Sequence, residues 1–167
     1  MCIRDSISIP RHSGQIQMIY NHKPSQYFHK YIDGPSTPLY PFGFGLSYTR
    51  FDYSGLKLSH AKISVLDSFT ASIELTNVGN REGTEVVQLY IRDVYSSATR
   101  PVKELKDFTR VTLKPGEKKT VTFTVTPDKL AYWNRNMQYG VEKGEFEIMI
   151  GSSSQDKDLK KVKIEVI

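Results

Sequence analysis

"SFTASIELTNVGNREGTEVVQLYIRD", residues 68–93, decides the fold. Its first half alternates with period two. Phe69, Ala71, Ile73 and Leu75 point one way and Thr70, Ser72, Glu74 and Thr76 the other. That is the signature of a half-buried strand, since successive side chains of an extended chain leave opposite faces. "NVGNREG", Asn77 to Gly83, interrupts the pattern with turn-forming Asn and Gly. Alternation then resumes, with Val87, Leu89 and Ile91 on one face.

The same period recurs along the rest of the chain. Val121, Phe123 and Val125 form one set, Phe146, Ile148 and Ile150 another, and Val162, Ile164 and Val166 the last. Each set predicts a strand with one buried face and one face toward water. In "KPGE", Lys114 to Glu117, proline stands at the second position and glycine at the third, as a type II turn requires. "EKGE", Glu142 to Glu145, reads as a hairpin connection. "TPDKLAYWN" reads as one helical turn capped by Asp128, with Trp133 in it as a core or edge packing residue. About seven strands in fewer than about 120 residues indicate a two-sheet antiparallel β-sandwich of immunoglobulin or fibronectin III type. With one cysteine in the chain, the Cys–Trp–Cys pattern of immunoglobulin domains is absent.

Upstream of the sandwich the character changes. "QIQMIY" alternates at Ile16, Met18 and Tyr20 and suggests one strand, but a lone strand has no ladder partner. Residues 7 to about 39 are therefore expected to be the end of a domain whose body lies elsewhere. "PLYPFGFGLSYTRF", residues 38–51, carries five rings: Tyr40, Phe42, Phe44, Tyr48 and Phe51. Its prolines and glycines forbid a helix or a central strand. A loop with this much apolar ring surface is sensible if protein covers both its sides, so all five residues are expected to pack between domains. The alternative is a sugar-stacking surface.

Composition narrows the function. The net charge is +5, and its lysine excess at Lys157, Lys160, Lys161 and Lys163 reads as a solvated strand face. There is no basic, aromatic-interleaved module for nucleic acid. No apolar run approaches the roughly 20 residues that span a bilayer, and the start is too polar for a signal peptide. Cys2 stands alone, which excludes an internal disulfide and a cysteine-based zinc site. His12, His22, His29 and His60 lack metal-ligand spacing, so neither a metal nor a cofactor is expected. Asp33, Asp52, Asp93, Asp107 and Asp128 are scattered. Glu145 and Glu147 share one strand face, about 6–7 Å apart by strand geometry, and read as solvated.

"SIPRHSGQIQMIYNHKPS", the ring-rich segment, "ELTNVGNREGTEVVQLYIRD", "RPVKELKDFTRVTLKPGEKKTVTFTVT" and "MQYGVEKGEFEIMIGSSS" together resemble the C-terminal region of glycoside hydrolase family 3, nearest its bacterial periplasmic β-glucosidase type. The resemblance covers residues 7–155 in order. It implies that residues 7–35 end an α/β sandwich domain, that 36–50 are a linker, and that 51–167 form a fibronectin type III-like domain. Residues 1–6, "MCIRDS", match nothing in the family and read as a non-native start. The family's retaining chemistry needs two carboxyl groups about 5–5.5 Å apart. The resemblance places both upstream of this chain. No catalytic residue is assigned, and the chain alone is expected to be inactive. The implied partners are the upstream catalytic domains of the same polypeptide. The implied substrate of the parent is a β-linked oligosaccharide or aryl glycoside, met in the periplasm or outside the cell. The runner-up reading is a carbohydrate-binding β-sandwich module.

Overall fold

The computed structural model describes residues 7–15, 18–24 and 34–167, together with the backbone of Ile3–Arg4. The short strands β1 (Ile3–Arg4) and β2 (Gly45–Leu46) pair antiparallel. Then follow β3 (Phe51–Leu58), β4 (Lys62–Ile63), β5 (Phe69–Asn77), β6 (Gly83–Asp93), β7 (Glu104–Leu113) and β8 (Lys118–Val125). A one-turn helix α1 (Pro127–Leu130) leads to β9 (Tyr132–Trp133), β10 (Tyr139–Gly140), β11 (Gly144–Gly151) and β12 (Leu159–Val166). Two sheets make the sandwich. One has the order β4-β12-β11-β6-β7 and the other β3-β5-β8. Pairing within them is antiparallel apart from the two-residue contact of β4 with β12.

The predicted apolar sets meet between the sheets. Ile73 and Leu75 of β5, Leu89 of β6, and Ile148 and Ile150 of β11 are completely buried in one cluster. Val121, Phe123, Val125, Ile164 and Val166 join them. Burying one such side chain is worth about 1.5–3 kcal/mol, so this interface dominates the stability. The "KPGE" turn forms as expected, with Glu117 N–H donating to the Lys114 carbonyl at 3.0 Å and Gly116 at φ 74°.

Four local expectations are corrected. First, the cap position of the helical turn is Thr126, not Asp128. Thr126 makes no side-chain cap, and Pro127, whose missing N–H is free at a helix start anyway, sets the first turn. Second, Trp133 lies outside the helical turn. It belongs to the β9–β10 ladder opposite Tyr139 and is 60% exposed. Third, "EKGE" is no hairpin, because β10 pairs with β9 while β11 joins the five-stranded sheet. Fourth, the strand predicted at "QIQMIY" is not seen over Met18–Tyr20, and Ile16 and Gln17 lie outside the described residues.

The expectation of one wet face per strand also fails, and here the site begins. Every residue of β6 from Glu85 to Ile91 is buried. Val87, Leu89 and Ile91 face the other sheet. Gln88 and Tyr90, on the opposite face of the strand, are sealed as well. Tyr90, Met149 and Leu159 form a second small core on the outside of the five-stranded sheet. Tyr20, Phe42 and Leu105 close over it.

Candidate functional site

The ring-rich segment is a strap across that outer face. Phe42 stacks on Tyr20, with centroids 4.0 Å apart and planes 18° off parallel, and Tyr20 stands edge-on to Tyr90 at 6.0 Å. Offset and edge-on ring pairs suit the aromatic quadrupole. The polar groups beside the rings are also matched. Gln88 donates from Nε2 to the Gly43 carbonyl at 3.1 Å and to the Ser152 carbonyl at 2.7 Å. Its Oε1 accepts from the Tyr90 hydroxyl at 2.5 Å. A buried amide bonded this fully costs little desolvation and fixes the strap's position.

Gly43 is required by this arrangement. Its φ is 76°, and a Cβ there would stand 2.0 Å from Gln88 Oε1. Backbone bonds complete the seat. Ser154 N–H donates to the Phe42 carbonyl at 2.9 Å, and Val102 N–H donates to the His22 carbonyl at 2.9 Å. Leu105 N–H reaches the Tyr20 hydroxyl at 3.3 Å.

The upstream motif "PRHSGQ" is bound to the strap in turn. Ile9 and Tyr40 form an antiparallel bridge, with Ile9 N–H on the Tyr40 carbonyl at 2.9 Å. Gln15, buried, accepts from Arg11 N–H at 2.7 Å and donates to the Pro35 carbonyl at 2.8 Å. At the downstream end of the strap, Thr49 donates its hydroxyl to buried Asn77 at 2.6 Å. Asn77 Nδ2 then reaches the Arg81 carbonyl at 2.7 Å and the Leu113 carbonyl at 2.9 Å.

The "RPVK" stretch supplies the remaining supports. Arg100, buried, meets Asp93 at 3.3 Å and Glu104 at 2.7 Å, donates to the Leu130 carbonyl at 2.8 Å, and lies over the Tyr132 ring. Burial holds the Asp93 carboxyl above its ordinary value against the pull of Arg100. Lys103, buried, donates to the Ser154 carbonyl at 2.9 Å and to Asp156 at 2.7 Å. Burial raises Asp156, but Lys103 and Lys161 outweigh it and hold that carboxyl below the usual range. A cleft of about 430 Å³ opens beside these groups, lined among others by Met18, Tyr20, Arg92, Lys103, Asp156 and Lys161. Lys103 and Lys161 both spend their charge on Asp156 there.

The five rings divide. Phe42 is anchored as described, and Phe51, opening β3, packs against the main core. Those two find their partners within the chain. Phe44 is half-buried and stacked on Tyr40 at 5.2 Å. Tyr40 is 42% exposed and Tyr48 76%. Leu39 and Leu46 of the strap are exposed too, as are Ile7 and Ile19 of the upstream segment. The strap thus has seated rings and exposed apolar residues. Sequence reasoning missed the seat, and the signal for it was Gln88 and Tyr90 inside an otherwise apolar strand.

The aspartates singled out in the sequence fall on different elements, Asp52 on β3, Asp93 on β6, Asp107 on β7 and Asp128 on α1. Glu145 is engaged by Lys163 at 2.8 Å, which raises the lysine, and Asp107 is engaged by Lys129 at 2.5 Å. Asp33 and His29 lie outside the described residues. No helix of the described residues is long and apolar enough to cross a membrane.

Comparison with known proteins places this architecture. The fibronectin type III-like domain family matches residues 85–154. A periplasmic β-glucosidase of Salmonella typhimurium is 46% identical over 158 residues, which is 89% of this chain and 21% of that protein. A β-xylosidase of Formosa agariphila is 44% identical over 164 residues, 96% of this chain and 23% of that protein. The solved structure of a β-glucosidase from Erythrobacter marinus superposes with a TM-score of 0.89 at 41% identity, over 96% of this chain and 21% of that one. The chain spans about a fifth of the length of the curated relatives it matches.

Proposed function

The chain belongs to glycoside hydrolase family 3, whose C-terminal, fibronectin type III-like region it matches, and from that premise we propose that it buttresses the catalytic domains of a β-glucosidase-like hydrolase. One observation carries the reading. Six large apolar side chains of the upstream segment and strap (Ile7, Ile19, Leu39, Tyr40, Leu46 and Tyr48) stay exposed, while the rings behind them are fixed to the sandwich. Such a surface suits a permanent neighbour, because a soluble protein seldom leaves a large apolar patch open. Interfaces of this kind are built on aromatic anchors. The seat on the sandwich makes the patch rigid, so little ordering entropy opposes docking.

In this reading residues 7–35 complete an α/β sandwich domain of the parent, 36–50 are the strap, and 51–167 are the buttress. The parent hydrolyses a β-linked oligosaccharide or aryl β-glucoside with carboxylates upstream of this chain. It works in the periplasm or outside the cell, as the name of the Salmonella relative suggests. The test is an assay of the purified chain and of the parent on an aryl β-glucoside. The chain alone is expected to show no turnover above blank, and the parent to lose activity when Tyr40 and Tyr48 are made serine. Turnover by the chain alone, or a parent indifferent to both changes, overturns the reading.

A further inference from the structure

The β9–β10 hairpin presents a second surface, with no residue in the strap. Trp133 and Tyr139 face each other across the ladder with ring centroids 5.4 Å apart and planes tilted by 52°, 60% and 54% exposed. The loop that joins them is held rigidly. Asn134 Oδ1 accepts from Asn136 N–H at 2.9 Å and from Gln138 N–H at 3.0 Å, and Asn134 N–H donates to the Gln138 carbonyl at 3.0 Å. Met137 is exposed and has a φ of 57°, a backbone conformation that a residue with a Cβ adopts at a cost. The side chains of Arg135, Asn136 and Gln138 are exposed and make no hydrogen bond or ion pair among the described residues.

We propose that the Trp133–Tyr139 hairpin is a surface binding site for a β-linked gluco-oligosaccharide. The chemistry matches on both counts. A β-linked glucose unit carries its hydroxyls equatorially, which leaves axial C–H faces that pack on an aromatic ring. Its rim of hydroxyls needs donors and acceptors, and neutral amides with a guanidinium supply both. The two rings touch each other, and their exposed outer surfaces are the aromatic area open to a sugar. A preformed loop with free polar side chains spends little entropy on binding. The choice of sugar rests on the parent being a β-glucosidase-like hydrolase. The site itself rests on the hairpin.

Trp133 is the chain's single tryptophan, so its fluorescence reports this site alone. The 167-residue chain is titrated with cellohexaose and laminarihexaose to about 10 mM, the weak range of a small exposed site. A saturable emission change is expected. Tyr139→Ala, which keeps the fluorophore, weakens binding roughly tenfold, the worth of one ring contact. Tyr139→Phe retains it. Arg135→Ala, at an exposed loop position where the hairpin's bonds are untouched, weakens it several-fold. No emission change overturns the proposal, as does a change that survives Tyr139→Ala. A change that follows protein concentration without sugar assigns the hairpin to self-association and also overturns it. The strap variants in the parent read the buttress role separately, so either idea can fail while the other stands.

Discussion

The two faces of the five-stranded sheet are built by different means. The inner face meets a second sheet and is filled mainly by aliphatic and Phe side chains packed by volume, with Tyr53, which donates its hydroxyl to buried Glu85 at 2.9 Å, among them. The outer face meets a strap. Its small core of Tyr90, Met149 and Leu159 is covered by Tyr20 and Phe42 and ringed by directed hydrogen bonds from Gln88, Val102, Lys103, Leu105 and Ser154. Volume packing resists the loss of any one atom group over the whole fold. A hydrogen-bonded strap opens locally, and its opening is sensitive to one backbone angle or one charge. The difference teaches that the sandwich supplies stability and the strap supplies position.

The largest expected effect breaks the inner face. Ile148→Ala leaves a cavity between the sheets and costs about 2–5 kcal/mol, read as a fall in the urea midpoint with an unchanged slope. If the same loss comes from strap variants, the two faces are not distinct. Next is Gly43→Ala, which meets both the positive φ and Gln88. It is expected to raise the energy of the seated strap by about 1–3 kcal/mol. Hydrogen exchange should speed up at Ser154 and Val102 while amides of β5 keep their protection. Uniform loss of protection would mean that strap and sandwich unfold as one unit.

The smallest effect concerns Asp156. Its folded carboxyl lies below the ordinary range, so the support it gives Lys103 is complete above the unfolded value and is lost as pH falls through the folded one. Protection of Ser154 N–H is therefore expected to decline on the acid side, and Asp156→Asn to flatten that decline. The carboxyl is largely exposed, so salt should reduce the effect. An acid limb unchanged in Asp156→Asn would place the titrating group elsewhere.

Much of the inner face was legible because it obeys a period. In β5 each apolar residue from Phe69 to Leu75 is buried and each polar one between them is turned out. β3 was harder. A bulge between Ser54 and Lys57 changes its phase, so Phe51 and Tyr53 fall out of step with Leu56 and Leu58. The outer face was illegible for a different reason. Tyr20 and Tyr90 are 70 positions apart, and no local pattern announces that one will cover the other. Gln88 looked like a solvent residue because its partners are carbonyls of Gly43 and Ser152, far along the chain. Trp133 was placed in a helical turn because the β9–β10 ladder is only two residues long on each side, too short to show a period. The rings of the strap read from the sequence as one group, but their division into seated Phe42 and open Tyr48 depends on tertiary structure.

On the proposed reading, the strap's exposed residues meet the parent's catalytic domains while its seated rings hold to this sandwich. The most direct measurement is the thermal unfolding of a double variant, Leu46→Ser and Tyr48→Ser, made both in this chain and in the full-length parent. In the chain alone the change should stay within about 0.5 kcal/mol per site, as for ordinary surface positions. In the parent it should lower the unfolding temperature by several degrees and reduce turnover of an aryl β-glucoside. Equal, small shifts in both would contradict the account, because the strap's exposed residues would then have no partner.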